Sequence, residues 1–344
     1  MSNEYPLAAV FGCSGLALNE AEKEFFSRVN PLGFILFSRN IATPEQLKTL
    51  VQSLRETVGR EDAPVLIDQE GGRVARLKPS FWPKYPPAGS FGEKYRITPK
   101  DGIQAAYETA RLIGRDLREL GINVDCAPVL DVPVVGSNDK ILGDRAFSMD
   151  PQLNGPLGKI VCDALLAEGV LPVIKHIPGH GRAVVDSHFE LPKVSADPET
   201  LKQTDFLPFK HLADAPWAMT AHVMYTAIDA HKPASLSNKV IQDIIRGEIG
   251  FKGFLICDDL SMKALSGALS DLAAEAVSAG CDAVLHCNGN MDEMELIASA
   301  LEPLSARSME RFMRGQEIVK AAAEQAVAFD YEAAVARLPE SGTA

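Results

Sequence analysis

A chain of 344 residues with 46% hydrophobic side chains holds ample material for a large core. Its net charge of −12 at pH 7 argues against nucleic acid and anionic membrane as partners, and no run of about 20 unbroken apolar residues is present to span a bilayer. The six cysteines, Cys13, Cys126, Cys162, Cys257, Cys281 and Cys287, show no Cys-x-x-Cys pair and no framework spacing, which predicts free, buried thiols in a reducing compartment.

Apolar residues 7–18 could imitate the core of a secretory signal. The stretch lacks a basic segment before it and is interrupted by Gly12 and Gly15, so it reads as a first buried strand. Strand candidates then recur at 8–13, 33–37, 64–67, 123–129, 171–174, 217–220, 254–256 and 283–286. They are nearly continuously apolar rather than alternating, as strands buried on both faces of a parallel sheet should be. Helix signals lie between them. Thr43, Pro44, Glu45 and Gln46 read as a capping box with proline at the first helical position. Asp150-Pro151 and Asp197-Pro198 repeat the cap-then-proline start. Helical periodicity covers 103–120, 151–167, 238–249 and 270–279, and a C-terminal helix is expected at about 307–328. Residues 78–101, rich in proline and aromatics, read as an insertion folded over a face. The last residues, 338–344, are expected to fray.

Eight β-then-α units predict an α/β fold, a single (β/α)8 barrel domain over residues 1–344 with loop insertions. A doubly wound open sheet is the rival. The count of eight and the polar residues after nearly every strand favour the barrel. In a barrel the active site belongs at the carboxyl ends of the strands. Asp68 to Arg76 follow the third strand, Asp131 and then Gly143, Asp144 and Arg145 the fourth. Lys175, His176, Pro178, Gly179, His180, Gly181, Asp186 and His188 follow the fifth. Ala221, His222 and Met224 follow the sixth, Asp258 and Asp259 the seventh, and His286 ends the eighth. Five of the seven histidines fall in these places. Scatter does not predict that, whereas proton transfer and ligand contact do.

Two chemistries fit such a rim. One is metal-assisted hydrolysis with His176, His180, His222 and Asp258 as ligands. The other is metal-free covalent catalysis with an aspartate nucleophile and a separate proton donor. The first strand is followed by Gly12, Cys13, Ser14 and Gly15, with no His-x-His. Arg76, Arg145 and Lys175 would repel a divalent cation and suit the oxygens of a sugar-like ligand.

Lys175-His-Ile-Pro-Gly-His-Gly181, Asp186-Ser-His188, Asp68-Gln-Glu-Gly-Gly-Arg73, Gly143-Asp-Arg145 and Cys257-Asp-Asp-Leu-Ser-Met262 come in one order over residues 8–290. Together they resemble the family 3 glycoside hydrolases, and within them the bacterial β-N-acetylhexosaminidases of the NagZ type, which act in cell-wall recycling. The resemblance implies a retaining exo-β-N-acetylglucosaminidase acting on small muropeptide fragments. It implies Asp258 as nucleophile, His188 as acid/base and Asp186 as the partner that orients and charges it. Asp68, Arg76, Arg145, Lys175 and His176 would contact the N-acetylglucosamine unit. No cofactor or metal is implied, and a cytoplasmic monomer is expected. Cys257 stands where this family commonly has serine, and Arg182 where an acidic residue is common. Other activities of the family, a β-glucosidase or a glycoside phosphorylase, are the alternatives; a non-catalytic sugar-binding protein is disfavoured by the complete set of catalytic residues.

The residues support these roles on their own. A retaining glycosidase places a carboxylate and a proton donor on opposite faces of the anomeric carbon. Asp186 and His188, two apart in an extended segment, share a side. Aspartate can then accept from one imidazole nitrogen and leave the other for proton transfer.

Overall fold

The structure, a computed structural model, describes residues 5–137, 139–183, 185, 187 and 190–339. In chain order the elements begin with β1 (Leu7–Gly12), α1 (Glu20–Val29), β2 (Pro31–Leu36), α2 (Pro44–Val58) and β3 (Val65–Ile67). Next come α3 (Ala88–Ile97), α4 (Pro99–Glu119), β4 (Val124–Asp125), α5 (Pro151–Ala167), β5 (Leu171–Ile177) and β6 (Lys193–Val194). Then follow α6 (Pro198–Gln203), α7 (Leu207–His211), β7 (Trp217–Thr220), β8 (Met224–Tyr225), a π-helix (Val240–Glu248) and β9 (Phe254–Asp259). The chain continues through α8 (Leu269–Ala279), β10 (Ala283–His286), α9 (Met291–Ser299), α10 (Ala306–Glu324) and α11 (Tyr331–Val335).

Strands β1, β2, β3, β4, β5, β7, β9 and β10 pair in that order, and β10 returns to β1 to close a parallel barrel. All eight expected strands are in it. The alternation of side chains along each strand divides the core in two. Val10, Ile35, Leu66, Val124, Val173, Trp217, Met219 and Ile256 fill the barrel interior. Ala9, Phe11, Phe34, Val65, Ile67, Ile174, Ala218 and Leu255 point outward and meet the helices. Phe312 of α10 packs on Trp217 and Phe254 at ring-centroid separations of 6.1 and 6.2 Å. The C-terminal helix thus plugs the amino end of the barrel, and truncating Phe312 to alanine removes packing worth about 3–5 kcal/mol. The carboxyl end stays open.

Several expectations need correction. The 123–129 strand is interrupted rather than continuous: Val124–Asp125 form the regular ladder, Pro128 has no N–H to donate, and Val129 then bridges Lys175 of β5 again. Thr43 caps α2 by accepting from the Gln46 amide, but the Gln46 side chain accepts from the Ala42 amide rather than completing a box on Thr43. The helix expected at 238–249 is a π-helix over Val240–Glu248, with Ile249 N donating to Ile244 O. Periodicity over nine residues does not separate the two windings. The 78–101 insertion packs both on the loops that follow β3 and β4, with Gly72 N bonding to Tyr85 O, and on α4. Tyr85 donates to Asp116 of α4 at 2.6 Å, and α3 packs on α4 and on the 143–147 segment. At the C-terminus, Leu338 N bonds to Val335 O and its side chain packs on the core, while residues 340–344 lie outside those described.

Candidate active site

A cavity of about 320 Å³ opens at the carboxyl ends of the strands. Asp68, Arg76, Arg145, Lys175, His176 and Asp258 all line it, six residues predicted from four separate stretches of sequence. Asp186 and His188 lie outside the described residues. Ser187, between them, is buried and lines the cavity.

Two irregularities in the barrel bring neighbouring side chains to this cavity. In a regular strand Lys175 and His176 would face opposite ways. The register of β5 against β7 shifts between Lys175 and Ile177, and both side chains line the cavity. Likewise Ala283 pairs with Ile256 while Leu285 pairs with Asp259. The extra residue in β9 lets Asp258 and Asp259 both reach the mouth, the use to which bulges are put beside active sites.

The floor is an ion network. Lys175 Nζ lies 2.8 Å from both Asp68 Oδ1 and Glu70 Oε1. Arg76 reaches the other Asp68 oxygen at 2.9 Å, and Arg145 holds Glu70 with two bonds of 2.8 Å. Burial alone would raise both carboxyls, but the cations reverse it. Asp68 falls far below the ordinary carboxylate range, and Glu70 is held at about 2. Lys175, 2% exposed, is pushed above its ordinary value because Asp68 and Glu70 outweigh the cost of burial. The network therefore presents ionised oxygens and N–H donors together, the set that grips vicinal hydroxyls. Glu70 was quoted in the motif but not assigned to the site. The available signal was its i, i+2 relation to Asp68. Gln69 between them turns inward, where it bonds the amides of Arg76 and Leu77.

Next to this network, in the segment after β4, Asp131 is fully buried. Its Oδ2 lies 2.7 Å from His176 Nδ1. Its Oδ1 accepts from the amides of His176 at 3.2 Å and His180 at 2.7 Å. The loop leaving β5 turns tightly here. Gly179 has φ 140°, and a Cβ on Gly181 would collide with the Val132 carbonyl, so glycine is required at both. Tyr225 of β8 donates to the Gly179 carbonyl, and β8 pairs with β6 where the chain re-enters the described residues. His180 Nε2 meets Ser187 Oγ at 3.2 Å, and the Ser187 carbonyl accepts from Ala264 N. Burial and the neighbouring His176 lower His180 to about 4, so it is neutral at pH 7.

Asp258 sits at the end of β9. Burial works to raise its carboxyl, but His222, His176 and the Asp259 amide, whose N–H donates to Oδ1 at 2.9 Å, hold it below its ordinary value. It is ionised at neutral pH. The Asp259 carboxylate is already engaged, accepting from Ser261 N, Ser261 Oγ and Cys287 N. His222 lies behind, with Nδ1 on Ser235 and Nε2 donating to the Asp259 carbonyl. His286 ends β10 as expected but does not line the cavity. It is buried between Asp259 and Glu293, with Nε2 3.2 Å from the latter. The four side chains of the metal reading, His176, His180, His222 and Asp258, are each engaged by protein partners. Among the described residues no group of three or more His, Cys, Asp or Glu side chains is arranged to hold a metal ion. Cys257 is fully buried behind Asp258, its thiol pushed well up by burial, and Arg182 binds Asp205 and Thr204.

An ionised aspartate facing a network of cations and carboxylates, at the mouth of a parallel barrel, is the arrangement a sugar-cleaving enzyme needs. The glycosyl hydrolase family 3 N-terminal domain matches residues 7–321. The chain belongs to glycosyl hydrolase family 3. It is a glycoside hydrolase built on a (β/α)8 barrel. It is 35% identical over 319 residues to a beta-hexosaminidase of Nitrosomonas eutropha, covering 90% of each chain. With one from Methylobacillus flagellatus the identity is 36%, over 82% of this chain and 80% of the relative. Among solved structures, NagZ from Neisseria gonorrhoeae in complex with N-trifluoroacetyl-D-glucosamine superposes with a TM-score of 0.86, at 29% identity and 98% coverage of both chains. The family 3 beta-N-acetylglucosaminidase from a Paenibacillus species gives 0.79 at 30% identity, over 94% of this chain and 63% of that one.

Proposed function

We propose that this family 3 enzyme is a retaining exo-β-N-acetylglucosaminidase. It removes terminal β-linked N-acetylglucosamine from small cell-wall muropeptides by double displacement. The observation that carries this reading is the ionised Asp258 carboxylate, set across one cavity from the Lys175, Asp68, Glu70, Arg76 and Arg145 network. The network holds the sugar by its hydroxyls. Asp258 attacks C1 and forms a covalent glycosyl-enzyme. His188 protonates the leaving oxygen and then activates water, and Asp186 orients and charges its imidazole. The names of the relatives, beta-hexosaminidases and NagZ, support the N-acetylhexosamine specificity.

No metal or cofactor enters this scheme, and a cytoplasmic monomer acting on a soluble substrate is its setting. No helix among the described residues is long and apolar enough to cross a membrane. The six cysteines are free and buried, which fits a reducing compartment. The test is turnover of a chromogenic β-N-acetylglucosaminide against the matching β-glucoside, followed by a purified muropeptide. A preference for the glucoside would overturn the specificity, and inertness toward the muropeptide would overturn the physiological substrate. Comparing rates in phosphate and phosphate-free buffer separates hydrolysis from phosphorolysis.

A further inference from the structure

We infer that Asp131 is a positioning residue that fixes the tautomer of His176, so that His176 meets the substrate as a hydrogen-bond acceptor. The inference rests on the reading of His176 as a sugar contact. Asp131 is fully buried and makes all its side-chain bonds to the stretch that leaves β5. An ionised carboxylate only accepts. At 2.7 Å from Oδ2, His176 Nδ1 must therefore carry the proton. In the neutral ring that leaves a lone pair on Nε2. Among the described residues Nε2 has no hydrogen-bond partner, and the side chain, 11% exposed, lines the cavity.

An acceptor here complements its surroundings. Lys175, Arg76 and Arg145 supply donors to the same cavity, while the Asp68 and Glu70 oxygens nearest them are already engaged by those cations. A sugar hydroxyl can accept from the network and donate to Nε2. An Nε2–H would turn that contact into donor against donor, or force the hydroxyl round and cost it another partner.

The orientation of the Asp131 carboxyl makes the idea testable with one atom changed. Its Oδ1 faces two backbone N–H groups, of His176 and His180. In Asp131→Asn the amide oxygen must take that position, because an NH2 there would face two donors. The NH2 then points at His176 Nδ1, which becomes the acceptor, and the proton moves to Nε2.

The experiment is side-chain ¹⁵N NMR on the full chain with ¹⁵N-histidine, His176 being assigned by the loss of its signals in His176→Gln. At pH 8 the wild type should show a protonated Nδ1 and an unprotonated Nε2. Asp131→Asn should show the reverse. Its kcat/KM on a nitrophenyl β-N-acetylglucosaminide should fall roughly 10–100-fold, mainly through a raised KM. Wild-type His176 protonated on Nε2 at pH 8, alone or on both nitrogens, would overturn the inference. So would a folded Asp131→Asn that loses activity without exchanging the protonated nitrogen. If Asp131→Asn fails to fold, the wild-type spectrum decides. Because that spectrum is taken without substrate, failure of the glycosidase reading would leave the tautomer result standing and be seen separately as absent turnover.

Discussion

Replacing Lys175 with methionine removes one charge and keeps most of the volume. The ammonium bridges Asp68 and Glu70 at 2.8 Å each, with only 2% of the side chain exposed. Without it Asp68 keeps Arg76 and Glu70 keeps Arg145, so each carboxylate stays buried with one cation fewer. Removing one partner of a buried ion pair costs about 3–5 kcal/mol. The Glu70 carboxyl gives a consistent scale. Its fall from 4.5 to about 2 corresponds to something on the order of 3 kcal/mol, divided between Arg145 and Lys175, and Asp68 adds its own share. Urea unfolding at pH 7.5 should therefore show a loss of about 3–5 kcal/mol. The pH dependence has a fixed sign. Both carboxyls are depressed in the fold, so their stabilisation is present above the unfolded values and lost as pH falls through the folded ones. In the variant the folded values rise, protons bind earlier, and the gap to the wild type narrows once pH falls below the ordinary Glu70 value of 4.5, toward the wild type's value of about 2. A loss under about 1 kcal/mol, the range of exposed ion pairs, would refute the argument, as would a gap that is constant or widens over that range.

Other expectations follow from the same chemistry. General acid help matters most for poor leaving groups, so His188→Ala should harm sugar or alkyl aglycones far more than nitrophenol ones, and Asp186→Ala should do the same more mildly. Equal loss across leaving groups, measured as kcat/KM over a series, would move the proton donor elsewhere. Arg182→Ala strips the buried Asp205 carboxylate of its cation and should lower stability by about 3 kcal/mol. Adding Asp205→Asn should recover part of that loss in a double-mutant cycle by urea unfolding. Dialysis against chelator should leave turnover unchanged, and loss of activity restored by zinc would revive the metallohydrolase reading.

The barrel was legible because each of its strands is buried on both faces, which writes an unbroken apolar run into the sequence. β4 was the least legible: its apolar run continues to Val129, which bridges Lys175, but the regular ladder covers only Val124–Asp125. The two-residue strands β6 and β8 leave no periodicity to read. In the site, residues at strand ends were found because ionisable groups interrupt apolar runs there. Asp131 gave the same signal, a lone carboxylate within the apolar run 127–134, and a charge in such a run demands a partner. Which partner it takes depends on the register shift at His176, which no pattern in one sequence encodes. His286 shows the converse. It ends a strand as the site residues do, yet it faces Asp259 and Glu293, and a strand end alone does not tell which way a side chain turns.

The central claim is that Asp258 forms the covalent intermediate. The direct measurement is mass spectrometry of peptides from enzyme trapped with a slow 5-fluoro or 2-deoxy-2-fluoro glycosyl substrate. The sugar should be carried by Asp258, and Asp258→Ala should neither take the label nor turn over substrate by more than a trace. Label on Asp259, Glu70 or any other residue, or steady turnover by Asp258→Ala, would contradict the account.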